Sequence, residues 1–299
     1  MKHESVRRRC SCCAARHPPI VMLIAVNRQR FGHPVITVAI AVACLSLQAS
    51  AQQAASSVPA GRQPVLVELF TSEGCSDCPP ADALLAQLDS TQPIAGAEAI
   101  VLSEHVTYWN HEGGRDPFSF DTIDLRQQTF QRQFALNDVY TPQIVVDGTE
   151  QFVGNDGRRL AQAIAHAAAT PKIELEIENA RLEPDGSVDF SVHVAAGVKG
   201  SVVAALAANA TTSEVARGEN AGRTLHHVAV VRAIKEFGGK AVDGRPLRLS
   251  GAQLAGAGDS ATPLRLVVFM VNGSSGHVTA VAEEILKSPA PTASAHSGL

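Results

Sequence analysis

Aromatic side chains are scarce in this chain. Phe, Trp and Tyr make up 4% of its 299 residues, with one Trp and two Tyr, so a core has to be packed mainly from Val, Leu, Ile and Ala. Cysteine is also thinly spread. Of six, four (Cys10, Cys12, Cys13, Cys44) precede residue 52, and beyond that only Cys75 and Cys78 remain. A single pair two residues apart excludes a disulfide-stapled scaffold. The apolar run Val35–Leu47 falls short of the ~20 residues a membrane helix needs. Positive charge is lacking too once the first 51 residues are set aside. They carry seven basic residues and one acidic, leaving 18 against 28, a net charge of −10 in place of −4. Nucleic acid and anionic membrane surfaces are therefore excluded as partners.

What is present in residues 1–51 reads as an export signal. Arg28, Arg30 and His33 precede the apolar run and Ala49-Ser50-Ala51 follows it, the order of n-region, h-region and A-x-A cleavage site. Met22 is a candidate true start, which gives a signal of ordinary length. A periplasmic or secreted location with no membrane span in the mature chain follows. At 45% hydrophobic, that mature chain is long enough to bury a core.

Residues 52–64 read as a flexible Ala/Ser/Gln-rich leader. Over 65–170 the period changes repeatedly. Val65–Phe70 is a buried-strand candidate, Pro79–Leu88 a helix and Ala97–Ser103 a second strand. Asp121–Leu136 is helical. Gln143–Val146 and Glu150–Val153 form a hairpin about Asp147-Gly148. Asn155 is expected to cap a helix over 156–169. This β-α-β-α-β-β-α order predicts an α/β thioredoxin-like domain. After Thr170-Pro171 the pattern alternates: Ile173, Leu175 and Ile177 in one segment, Val188, Phe190, Val192 and Val194 in the next. Residues 171–288 are expected to form a separate, mainly antiparallel sandwich-like module, and 289–299 a disordered tail.

The chemistry-bearing stretch is VLVELFTSEGCSDCPPAD, residues 65–82. Cys75 and Cys78 stand where a strand hands over to a helix, a position that lowers thiol pKa. Cys75 is expected to be the more exposed, attacking thiol and Cys78 the resolving one. A structural disulfide and half of a metal site are the competing readings; zinc needs two further ligands. Asp77 and Pro79-Pro80 argue against a strongly acidic Cys75, and so for a reductant or exchanger rather than a strong oxidase. Glu68, a carboxylate in an apolar strand, is either a buried general base for the resolving thiol or a strand-end residue facing water. Thr141-Pro142 opens a strand, where a proline is cis and faces the cysteines or is an ordinary trans edge residue. The segment 104–111, with His105 and Trp109, is a substrate-contacting loop or one packed by its own aromatics. His226 and His227 alternate across a strand and cannot share an ion; His227 reads as a core or edge histidine.

The stretches VELFTSEGCSDCPPAD, LSEHVTYW, RDPF, YTPQIVVDG and RGENAGRTLHHVAVVRAI together resemble an exported bacterial thioredoxin-like family of unestablished function, over about residues 65–286. The resemblance implies a thioredoxin-like fold, export and Cys75, Cys78 and Pro142 in the roles above. It differs from the family's usual pattern at Glu104, Asn110 and Gly114. The leading expectation is a thiol–disulfide oxidoreductase needing no cofactor or bound metal. Its partners would be protein or small-molecule thiols and disulfides plus a redox partner, with Thr141, Pro142, His105 and Trp109 contacting substrate. The alternatives are a copper carrier using both thiols and a histidine, or a non-catalytic adaptor.

Overall fold

The computed structural model describes residues 61–195, 199–238, 243–250, 262–273 and 275–286. The expected export signal with its start at Met22, most of the leader and the tail lie outside the described residues. No described helix is long and apolar enough to cross a membrane.

The chain begins with strand β1 (Gln63–Thr71), helix α1 (Pro79–Thr91) and strand β2 (Ala97–His105). A short turn of helix, α2 (Asn110–Gly113), leads to α3 (Asp121–Gln133), and the hairpin β3 (Gln143–Val146) and β4 (Glu150–Val153) leads to α4 (Gly157–Ala168). Seven strands follow: β5 (Leu175–Leu182), β6 (Val188–Val194), β7 (Ser201–Glu214), β8 (Thr224–Phe237), β9 (Leu247–Leu249), β10 (Leu264–Val271) and β11 (Val278–Leu286). Helix α1 starts at the proline pair because a missing N–H costs nothing in a first turn; Cys78 is its N-cap. Helix α4 is capped by Asp156, not Asn155: its carboxylate accepts from Arg159 N at 2.9 Å. Gly148 takes φ +63° in the β3–β4 turn, and a side chain there would meet the carbonyl of Gly276 at 2.3 Å. That hairpin is thereby pressed against the chain's second half.

The expected architecture, an α/β domain followed by a separate β module, is not what forms. The protein is mostly β. One mixed eight-stranded sheet runs β11-β10-β7-β8-β2-β1-β3-β4, and a three-stranded sheet, β5-β6-β9, accompanies it. Strand β1 pairs in parallel with β2, Thr71 opposite His105, and antiparallel with β3. Strand β8 meets β2 at one residue pair, Ser103 opposite Val230. The reason for one unit rather than two is that β10 and residues 202–208 of β7 are buried on both faces. Val203, Ala205, Ala207, Val267 and Phe269 join the core of β1, β2, α1 and α3. The alternate residues Val202, Ala204, Leu206, Val268 and Met270 pack with Val188, Phe190 and Val192 of the smaller sheet. Strands buried on both faces read as continuous apolar runs, and such runs do not reveal that their second face belongs to a distant part of the chain.

Candidate active site

Strand β1 delivers the chain into the turn Ser72-Glu73-Gly74 and then to the cysteines. Cys75 N donates to Ser72 O, and Cys78 N to Cys75 O, each at 3.2 Å. Ala81 N and Asp82 N donate to Cys78 O, so helical geometry begins at Cys78 itself. Cys75 and Cys78 are joined by a disulfide, their Cα atoms 5.4 Å apart. Cys75 was expected to be the open thiol. It is 1% exposed and Cys78 0%, because the hairpin loop between β7 and β8 lies over them. Asn220 Nδ2 donates to Glu73 O and to Cys75 O, both at 2.9 Å, and Arg223 Nη1 donates to Asn220 Oδ1 at 2.7 Å. Ser76 N donates to Glu219 Oε2 at 3.2 Å.

Three residues of the expected substrate surface gather beside the pair. A Cβ on Gly74 would stand 3.1 Å from Trp109 Cβ, so Gly74 lets the Trp109 backbone approach. Trp109 Nε1 donates to Thr141 Oγ1 at 2.7 Å. The Thr141–Pro142 bond is cis. A Cβ on Gly154 would lie 2.9 Å from Pro142 Cβ and 3.1 Å from Ala81 Cβ, which places Pro142 against the first turn of α1.

His105 belongs to a buried layer beneath. Its Nδ1 lies 2.8 Å from Asp116 Oδ2. That carboxylate also accepts from Glu73 N and Phe118 N, both at 2.9 Å. Burial would push His105 down, but Asp116 reverses this and holds its pKa raised. Burial works to raise Asp116, yet the His105 charge together with the hydrogen bonds from His105, Glu73 N and Phe118 N outweighs it, and the pKa is lowered. Glu73 is raised, first by burial and then by the Asp116 charge. Thr71 Oγ1 donates to Asp82 Oδ1 at 2.9 Å, while Asp82 Oδ2 lies 3.6 Å from His227 Nδ1. The His227 ring stands edge-on to His105 with centroids 4.7 Å apart, and Phe118 packs on both.

Glu68 is not part of this site. Residues alternate across a strand, so Glu68 points away from the face on which Thr71 meets α1. Arg126 Nε of α3 donates to Glu68 Oε1 at 2.5 Å, and Glu104 Oε1 lies 3.5 Å from the same nitrogen. Burial and then the Glu68 charge raise Glu104 well above the usual carboxylate range. The general-base role expected of Glu68 is corrected accordingly. Among the described residues no group of three or more His, Cys, Asp or Glu is arranged to hold a metal ion.

The family model described as "Protein of unknown function (DUF1223)" matches residues 66–270. The chain belongs to the DUF1223 family. The DUF1223 match spans both halves, as the shared sheet requires. No curated protein matches the chain. Among solved structures, protein AGR_C_4864 of Agrobacterium tumefaciens is similar at 25% identity, covering 76% of this DUF1223 chain and 96% of its own, with a TM-score of 0.54. HBP35 of Porphyromonas gingivalis aligns at 13% identity over 78% of each chain with a TM-score of 0.52, a likeness of fold alone. Sequence reasoning passed over Asp82, Asp116, Asn220 and the partnership of His227. The signal for all four was at hand, since VELFTSEGCSDCPPAD ends on Asp82, RDPF contains Asp116 and RGENAGRTLHH contains Asn220 and His227.

Proposed function

We propose that this chain is an exported thiol–disulfide exchange protein whose working pair is Cys75 and Cys78. The observation that carries the reading is the bonded pair at the start of α1, backed by a buried layer of acids and histidines. A purely structural link needs no such layer: it would close a very small loop and constrain the unfolded chain little. The substrates are protein or small-molecule disulfides, and a separate redox partner resets the pair. Thr141, Pro142 and Trp109 flank the cysteines and contact the substrate. The surroundings are acidic. Asp77 stands exposed between the thiols, Glu219 reaches Ser76 N, and Asp82 follows one turn on. Negative charge disfavours a thiolate and so favours the disulfide, which makes the dithiol a reductant.

The direct test is insulin reduction by the wild-type protein and by Cys75→Ser. Cysteine-dependent turnover is expected, with a potential nearer to about −270 mV than to about −120 mV, the ends of the range from reductant to strong oxidant. Equal activity of the two proteins in both the reducing and the oxidising direction would reject the exchange reading.

A further inference from the structure

Exchange requires that Cys78 lose a proton before it attacks, and in this fold Glu68 cannot take it. The ionisable side chain nearest to Cys78 on its face of α1 is Asp82, four residues on. Side chains at i and i+4 lie one above the other on a helix, and the Cα–Cβ bonds tilt toward its N-terminus. Asp82 therefore leans toward Cys78, and the 3.0 Å bond from its N–H to Cys78 O shows that the geometry is helical across this interval. Thr71 occupies one carboxylate oxygen. The other, Oδ2, is buried with no hydrogen bond, as are both ring nitrogens of His227. Asp82 is 5% and His227 2% exposed. Two buried titratable groups 3.6 Å apart, each with open valence, form a place where a proton can be held and returned.

We propose that Asp82 is the base that takes the Cys78 proton and that His227, from β8, is its positioning residue. This rests on the exchange reading above and deepens it. The Cys75 thiolate first attacks a substrate disulfide. A Cys75–substrate bond forms, the substrate S–S bond breaks, and the first leaving thiolate takes a proton from solvent. The Cys78 proton then passes to Asp82 Oδ2. Cys78 attacks Cys75 Sγ, the Cys75–substrate bond breaks, and the second thiolate leaves to be protonated from the Asp82–His227 couple. Two electrons have moved from the pair to the substrate. Glu73, from the turn after β1, interacts with His227, and His105 of β2 with Asp82. Asp116, from the loop before α3, acts on both Glu73 and His105, and Arg232 of β8 interacts with Asp116 and lies over the Phe118 ring. The second half of the chain thus supplies part of the machinery and not only a cover.

Stopped-flow mixing of the fully reduced protein with one equivalent of 5,5′-dithiobis(2-nitrobenzoate) separates the two steps. Thionitrobenzoate is released once on attack by Cys75 and again on attack by Cys78. Asp82→Asn keeps an acceptor for Thr71 and is expected to slow the second release about a hundredfold at neutral pH. The first release, read in a Cys78→Ser background, should not slow, since Asp82 takes no proton in that step. His227→Gln should shift the pH profile of the second release without abolishing it. A second release with wild-type rate and pH profile in both variants overturns the proposal. Should Asp82→Asn fail to fold, the His227→Gln profile decides alone. Failure of insulin reduction would sink the exchange reading instead, while the two-phase release would still report on Asp82.

Discussion

Glu68 and Glu104 lie on one face of neighbouring parallel strands, with Phe70 opposite Glu104 in the register. Among the described residues the cation they share is Arg126, which also stacks over Phe130 and Phe269. Two buried carboxylates beside one guanidinium cannot both be ionised cheaply, and Glu104 is the one whose pKa is raised well above 4.5. The fold therefore holds that proton more tightly than the unfolded chain does. Stability from this group is full at low pH and falls as pH rises from 4.5 through the folded value. Glu104→Gln removes the titration, so denaturant unfolding at pH 5 and pH 8 should give closer midpoints in the variant than in the wild type. Glu68→Gln should behave differently. It breaks the shorter contact to Arg126 and is expected to cost about 2–4 kcal/mol of stability, with the thionitrobenzoate release rates unchanged because the residue faces away from the cysteines. At this scale the cysteines and Pro142 were legible in the sequence, since each stands in a spacing with a chemical meaning. Glu68 was not, because a lone carboxylate in an apolar strand announces burial but not which face it is buried on.

The element that most changes the site is the loop joining β7 to β8. It is a tight, internally bonded turn: Val215 N donates to Arg223 O, Gly222 N to Val215 O and Arg223 N to Asn220 O. Asn220 is the tooth it lowers onto the cysteine turn, and it is wholly buried. Asn220→Ala removes two bonds to backbone carbonyls and leaves Glu73 O and Cys75 O without that donor, a loss of ~1–3 kcal/mol concentrated in this contact. If the loop must lift before a thiol can reach Cys75, each ~1.4 kcal/mol lost makes opening about tenfold more frequent. Dithiothreitol should then reduce the variant's disulfide about tenfold or more faster than the wild type's. Equal rates would show that the loop does not limit access. Strands were readable from alternation and turn residues; Val188, Phe190, Val192 and Val194 alternate through β6, which spans Val188–Val194. The loop's purpose was not readable. Gly, Glu and Asn between two strands describe any polar turn, and its target lies some 145 residues away in sequence.

For the whole molecule, the question is whether residues 61–170 are a domain. Their element order alone suggests it, and the single ladder pair between β2 and β8 would permit it. The packing argues otherwise. Phe269 is fully buried in the core shared with β1 and α3. Val278 N donates to Asp147 O at 2.9 Å, and Arg265 of β10 pairs with Asp89 of α1 at 2.9 Å. Lys172 Nζ reaches Asp147 Oδ2 at 2.6 Å. A chain ending at Thr170 would expose the apolar faces that Ala229, Val231, Val267 and Phe269 now cover, and at ~25 cal/mol per Å² a few hundred Å² of newly wetted surface rivals the whole stability of a small domain. It would also lose both the loop over the cysteines and His227. The truncated protein is expected to show no cooperative thermal transition by circular dichroism and to have Cys75 and Cys78 reduced as fast as an unstructured dithiol. An independently folded α/β domain followed by a β module would instead give a sharp transition and protected cysteines. The difference arises because β7, β8 and β10 complete the first half's core from one face while building the second half's core from the other, so neither half can bury its apolar surface without the other.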